Sequence, residues 1–410
     1  MKKIGWMAAF LSWTAAVAWA SPPAGKDREI VEGWVQQVLV SHPQSRTGGL
    51  GVESERVQVD GNRAWMPPFV ELDYQSDGLA DAKFTQMIPW PGKTGAMEDV
   101  QRDKVGMAQA DSSDIRRRIE LAVREAAWME WMNGEKARLL KQQEGVVRDL
   151  AVNAERNQAQ GMATASDTWI LRARAEQIAA LADQAKAEAA SARAMREGWT
   201  GPVGDSLSEP GRPRSPAWND SALADSVKSR ADILSMRREA AMRDAMGTAS
   251  AVSLRPDLMV GAMAMQMQNG MPGWGVMAGF TLPFAPWSSG MANGQARGAK
   301  VQARVTEAKA EAMARMARSE VTDHSQRARA AWAAWKRLDS LVLPGEENAL
   351  VLTRTRYGQG SEMLSMVLAM EEMIRMSRMD AVMQRGTYEL ERARLAAAAG
   401  VEPDELEVVK

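Results

Sequence analysis

The hexamer Ala126-Ala127-Trp128-Met129-Glu130-Trp131 returns as Ala330-Ala331-Trp332-Ala333-Ala334-Trp335, 204 residues further on. Two other landmarks repeat in the same order. Short alternating segments end at Pro89 and at Pro283, 194 apart, and helix-ending turns fall at Gly161 and Gly360, 199 apart. Three landmarks at nearly one spacing indicate an internal duplication, so any fold for these 410 residues is built twice from one unit.

The unit reads as strand, turn, strand, long helix, turn, long helix. In Phe69-Val70-Glu71-Leu72-Asp73-Tyr74-Gln75 apolar and polar residues alternate, the period of a strand with one wet face. Ser76-Asp77-Gly78 makes a turn, and a second strand is expected near 81–88. Residues 95–158 lack proline and are rich in Ala, Glu, Arg, Met and Gln, which predicts a helix of about 100 Å, with interruptions expected near Gly134 or Gly145. A second helix is expected over 164–199. The pattern restarts with helix at 221–253, alternation at 257–268, a turn at 269–273 and a strand running to Pro283. Helix follows from 292 to 356 with a break at Pro344, then a last helix from 361 to 399. Ahead of the first unit, 28–43 reads as a short helix stopped by Pro43, and 44–65, Gly-rich and polar, as loop. The domain plan is a signal peptide at 1–20, an N-terminal segment at 21–65, one repeat at 66–199, a Gly/Pro/Ser-rich linker at 200–220, a second repeat at 221–400 and a tail at 401–410.

Gly92-Lys93-Thr94 ends as a phosphate-binding loop ends, but the first glycine of that motif falls on Met87, and Pro89 and Pro91 remove amides that would cradle phosphate. The N-terminus has Lys2 and Lys3, an apolar run and Ala18-Trp19-Ala20, the pattern of an export signal cleaved after Ala20; a membrane anchor is the other reading. There is no cysteine, so no disulfide, thiolate metal site or lipidated cysteine is available. Without residues 1–20 the net charge is −3, which argues against nucleic acid as a partner. His42 and His324 are the only histidines and read as solvated. No catalytic spacing is present, so no enzyme and no cofactor is expected.

Two strand pairs make four strands, too few to close a barrel, which takes about eight. If they meet lipid, several chains must pool them. A soluble helical bundle bearing two hairpins is the alternative. Beyond this the chain resembles the TolC family of outer-membrane efflux proteins, in its heavy-metal branch. Residues 86–93 (QMIPWPGK) are similar to the family's strand-to-helix junction. Arg356-Tyr357-Gly358-Gln359-Gly360, followed by Leu364 and Leu368, is similar to its R-Y-x-x-G tip. Gly161 with Asp167 and Leu171 resembles the matching tip of the first half, and Arg255-Pro256-Asp257 and Leu343-Pro344 also fit. The likeness spans roughly 28–400.

That resemblance implies a mainly α chain with a small β part: a duplicated β-hairpin plus long helical hairpin. Three copies would form a twelve-stranded barrel in outer-membrane lipid, continued by a coiled-coil helical tunnel through the periplasm. It implies a passive homotrimeric channel that docks a periplasmic adaptor and an inner-membrane RND-type pump and exports heavy-metal cations. Export of drugs or type I secreted polypeptides is the alternative within transport, and a poreless periplasmic adaptor or scaffold the alternative outside it. Pro89, Pro91, Gly92 and Pro283 would turn the chain at the barrel-to-tunnel junction. Arg156, Gly161, Asp167, Arg356, Tyr357 and Gly360 would form the tips that contact the adaptor.

The family narrows its mouth with aspartates six and nine residues after the tip glycine; Met366 and Ala369 stand there in this chain. Glu362, Met363 and Met366 are therefore the aperture candidates. Three Glu362 carboxylates could favour cations, or Glu362 could be a first-turn acid held by the helix dipole. Methionine counts 29, against five Phe and three Tyr. Met363, Met366, Met370 and Met373 share one helical face, and Met366 and Met370 are candidate transient ligands of soft metal ions. The reading preferred from pattern is packing. Met263, Met265 and Met267 alternate with Gln266 and Gln268, so this methionine face is expected to meet lipid.

Overall fold

The structure, a computed structural model, describes residues 26–74, 80–159, 164–202, 207, 211–266, 271–359 and 361–407. The residues expected to form a signal peptide, the expected turn at 76–78, Asn269 and Gly270 of the second expected turn, Gly161 and Gly360 lie outside these. In chain order the elements are α1 Lys26–Ser41, α2 Pro43–Arg63, β1 Phe69–Tyr74, β2 Ala80–Ile88, α3 Lys93–Ala159, α4 Ala165–Thr200, α5 Asp220–Ser226, a 3₁₀ turn Val227–Ser229, α6 Ala231–Val252, β3 Leu258–Gln266, β4 Pro272–Phe280, α7 Ser289–Arg337, a π turn Leu338–Val342, α8 Leu343–Gly358, α9 Leu364–Ala399 and a 3₁₀ turn Glu405–Glu407. The chain is mainly α, with one antiparallel sheet in the order β1-β2-β3-β4, so the two hairpins join through β2 and β3. None of the described helices is long and apolar enough to cross a membrane.

The chain divides into two compact units, each drawing segments from both repeats. One comprises 1–34, 126–215 and 334–386. Its core is a zipper of small and branched side chains: Val147, Ala151 and Ala154 of α3 meet Leu171, Ala175 and Ile178 of α4, with Leu364 and Leu368 packed against them. Further along, Leu140 meets Ala182 and Ala185, with Met379 packed against them. Alanine on one side of such a seam lets helix axes approach closely. The fully buried Arg196 of α4 pairs with Glu130 of α3 and stacks over the Trp34 ring at 4.5 Å, which fastens α1.

The other unit comprises 35–125, 216–333 and 387–410 and carries the sheet. The buried residues of α7 (Ala296, Ala303, Thr306, Ala310, Ala314, Ala317, Val321, Ser325, Ala328, Ala331) recur mainly at three and four, a narrow seam of small side chains. Trp218 enters this core and donates its indole N–H to Ser325 Oγ at 2.9 Å, so the end of the linker is pinned.

Three expectations are corrected. Residues 43–63 are helix, not loop. Pro43 opens the helix, His42 caps it by accepting from the Gln44 amide, and buried Gly48 lets the helix lie on α3, where a Cβ would stand 2.8 Å from Ser112 Oγ. Gln101 bonds the Glu55 carbonyl at 2.9 Å and Arg63 pairs with Glu98 at 2.6 Å, so tertiary contacts override glycine's poor propensity. The helix α3 runs through Gly134 and Gly145 without interruption. Pro344 does not break its helix: the π turn at Leu338–Val342 opens the backbone just ahead of the ring, which removes the clash with the preceding turn.

Candidate functional site

Directly opposed residues of an antiparallel sheet share a face, so the register assigns every side chain. One face carries Val70, Leu72 and Tyr74 of β1, Ala82, Phe84, Gln86 and Ile88 of β2, Leu258, Val260, Ala262 and Ala264 of β3, and Trp274, Val276, Ala278 and Phe280 of β4. Apart from Gln86, whose Nε2 is taken up by the Met66 and Met87 carbonyls at the junction end, it is apolar and well exposed: Trp274 84%, Tyr74 79%, Val276 79%. The opposite face carries Phe69, Glu71 and Asp73, then Asp81, Lys83, Thr85 and Met87, then Met259, Met263 and Met265, then Met277; among the described residues Phe69 is its one aromatic, at the junction end. Its β3 and β4 side chains are half-buried. Lys83 lies 3.7 Å from Glu71 and 3.5 Å from Asp73. Met263 and Met265, expected on a lipid-facing side, share this face with charged residues. Met263 stands opposite Lys83 and Met265 opposite Asp81, so they belong to the charged face. Met267 lies outside the described residues.

The strand-to-helix junction is one hydrogen-bonded knot. Pro89 follows β2, Pro91 precedes the turn, and Gly92 takes φ +91°, a left-handed conformation that a side chain would strain. Lys93 begins α3 and its Nζ lies 2.7 Å from Asp257 Oδ2, while the Trp90 amide donates to Asp257 Oδ1 at 2.9 Å. Asp257 also takes part in the last rung of β3 with β4: its amide donates to Thr281 Oγ1 at 2.8 Å, and its carbonyl accepts from the Thr281 amide at 3.0 Å. Arg255 reaches the Pro91 carbonyl at 3.4 Å. After Pro283, Ser288 Oγ bonds the Leu282 and Pro283 carbonyls. Both exits from the sheet thus meet at Asp257. The sequence placed Lys93 and Asp257 in separate motifs; their 164-residue separation hid the pair.

Among the tip candidates, Arg156 is exposed in the last turn of α3, and Arg356 and Tyr357 occupy the last turn of α8. Ser361 returns to the Arg356 carbonyl through its amide at 2.9 Å and its hydroxyl at 3.0 Å. Asp167 falls in the first turn of α4; its side chain lies outside what is described. Glu362 precedes α9 and accepts from the Met363 amide at 3.3 Å, so it is not a first-turn acid of that helix. Met363 and Met366 are exposed and Met370 is half-buried. Exposed Met366, Met373, Met376 and Met383 form a stripe on α9, whereas Met379 turns inward.

Sequence reasoning missed the fasteners on α9. Arg354 of α8 pairs with Glu371, Glu347 with Arg378 at 2.8 Å, and Glu346 accepts from Ser377 at 3.0 Å. Arg174 of α4 reaches Glu372 at 2.6 Å. Burial opposes ionisation of Glu372, but hydrogen bonds from Arg375 and Arg174 outweigh it and hold the carboxyl below the usual range. His324 is also corrected. It is largely buried, with Nδ1 2.7 Å from Glu391 Oε2.

No protein-family model and no curated protein sequence matches the chain. Solved structures do. CusC, whose structures describe folding and transmembrane channel formation, superimposes with a TM-score of 0.76 at 14% identity, over 91% of this chain and 92% of that one. The outer membrane protein VceC of Vibrio cholerae gives 0.75 at 16%, over 91% and 96%. The outer membrane channel CmeC of Campylobacter jejuni gives 0.75 at 12%, over 91% and 86%. At these identities the likeness is one of fold, and the chain has the TolC-like channel fold.

Proposed function

We propose that the chain is the passive exit duct of a tripartite efflux system. Three copies pool their four strands into one twelve-stranded outer-membrane barrel, continued by a helical tunnel in the periplasm. The observation that carries this reading is the opposite chemistry of the two sheet faces. Lipid tolerates Leu72, Val276 and Trp274 and rejects the charges of Asp81 and Lys83, which only a water-filled interior accepts. A spanning strand needs about 9–11 tilted residues, and β2, β3 and β4 have nine each. Exposed Trp65, Trp90, Phe284 and Trp287 collect at the junction end, as aromatic residues do where a bilayer meets water.

A periplasmic adaptor and an inner-membrane pump of RND type supply docking and energy; Arg156, Arg356 and Tyr357 are the contact residues proposed at the tips, with Gly161, Asp167 and Gly360. Heavy-metal cations are the proposed cargo, drawn by an inner face on which Glu71, Asp73 and Asp81 outnumber Lys83. The test combines membrane fractionation, subunit counting and the sensitivity of a deletion strain to metal salts and to drugs. We expect trimers in the outer-membrane fraction and sensitivity to metal salts. A soluble periplasmic monomer overturns the duct, and sensitivity to drugs alone overturns the cargo.

A further inference from the structure

The methionines of the inner sheet face are arranged one to a rung. At successive inward-facing positions of the β3–β4 pair, Met265 opposes Gly273, Met263 opposes Gly275, Gly261 opposes Met277, and Met259 opposes Gly279. Each rung carries one thioether and one glycine, and the methionine changes strand at Gly261. Met87 of β2 lies directly opposite Met259. Inward positions along a strand recur about every 7 Å, so the four rungs extend over about 20 Å.

The glycines decide between packing and ligation. A methionine that fills a core gap is covered by large neighbours. Here the partner across the β3–β4 pair has no side chain, while on the β2 side Met259, Met263 and Met265 face Met87, Lys83 and Asp81. A Cβ at Gly275 would stand 3.2 Å from Met263 Cγ, one at Gly279 3.3 Å from Met259 Cε, and one at Gly261 3.3 Å from Met277 Sδ. The side chains of Met259, Met263 and Met277 therefore lie over bare backbone of the facing strand, and each is half-buried rather than fully enclosed. At the turn end of the ladder Met265 opposes Asp81, on the face that also carries Glu71 and Asp73.

We propose that this ladder is a contact surface for soft monovalent cations of the Cu(I) or Ag(I) class. Neutral thioethers bind such ions and leave hard ions such as Na⁺ and Mg²⁺ to water and carboxylates. One sulfur per rung holds an ion briefly and passes it to the next, and the facing pair Met87 and Met259 supplies two sulfurs where the ladder nears the junction. The carboxylates at the far end retain positive charge without selecting among cations. The proposal rests on the duct reading, because it takes this face as the lumen.

The test uses the full mature chain, purified in detergent in chloride-free nitrate buffer, with silver nitrate as the probe. Retained silver is measured after equilibrium dialysis for the natural sequence, for the combined variant Met259→Leu, Met263→Leu, Met265→Leu and Met277→Leu, and for Met366→Leu with Met373→Leu as a control on α9. Leucine keeps the volume and removes the sulfur. The combined variant is expected to lose silver several-fold, the α9 control to lose little, and Met277→Leu alone, which also serves if the combined variant misfolds, to lose part. Equal retention by the natural sequence and whichever ladder variant folds overturns the proposal, as does a loss confined to the α9 control. Subunit mass measured on the same samples tests the duct separately: a lone soluble particle overturns that reading whatever the silver result.

Discussion

Asp257 holds two separate chain exits, its carboxylate taking the Trp90 amide and the Lys93 ammonium and its backbone taking Thr281. Lys93 and Asp257 are both mostly enclosed, with side chains 17% and 18% exposed, so solvent does not replace the partner cheaply. Asp257→Ala is expected to cost about 2–3 kcal/mol in urea unfolding, as for loss of a charge-assisted bond, and Asp257→Asn about half of that because the Trp90 amide keeps an acceptor. A double-mutant cycle with Lys93→Met should show coupling above about 0.5 kcal/mol; additive effects would mean the pair is incidental. Glu372 gives a pH prediction. Its folded-state carboxyl titrates below the ordinary value near 4.3, so its stabilisation is complete above that pH and is lost as pH falls through the lower folded value. The thermal stability gap between the natural chain and Glu372→Gln should therefore shrink from pH 5 toward pH 3; a constant gap contradicts the assignment. Neither group was legible as a pair in the sequence, because Arg174 and Glu372 lie 198 residues apart. His324 misled for the same reason: its charged neighbours in sequence suggested solvent, while its partner Glu391 arrives from another helix.

Elements were legible where local periodicity and tertiary demand agree. The first three strands fall where alternation predicts, because two faces of opposite chemistry enforce period two, whereas β4 begins at Pro272, inside the expected turn, and ends at Phe280, short of Pro283. The long helices also fall where proline-free, alanine-rich runs predict. Residues 43–63 failed that test, since Gly48 serves contact with α3 rather than flexibility and the ties of Glu55 and Arg63 to α3 hold the rest. The π turn ahead of Pro344 was illegible because a wider turn leaves no composition signal. The methionine face was misread from Gln266 and Gln268 at one end of β3; the deciding residues, Asp81 and Lys83, belong to the neighbouring strand. Sheet closeness makes its own prediction. A Cβ at Gly261 would stand 2.5 Å from the Phe84 carbonyl oxygen, a backbone atom that cannot swing away, whereas at Gly275 it meets only the Met263 side chain. Gly261→Ala should destabilise the sheet by about 1–3 kcal/mol in denaturant titration and Gly275→Ala by much less. Equal effects would show that β2 and β3 are not so closely paired.

At the scale of the whole molecule, the sheet has two edges, β1 and β4, and one exposed, largely apolar face. Four strands per chain leave those edges unpaired, and pooling across copies removes them. Duplication and strand count made this need legible in the sequence. Which residues share a face required the register. Val276 and Met277 are adjacent in β4 and point to opposite faces, and the chain has no cysteine to confuse a label. The most direct test places a single cysteine at each position and exposes intact cells to a water-soluble maleimide. Met277→Cys should react through the water-filled interior, and Val276→Cys should be protected by lipid. Equal labelling, or the reverse order, would contradict a barrel whose methionine face lines the lumen.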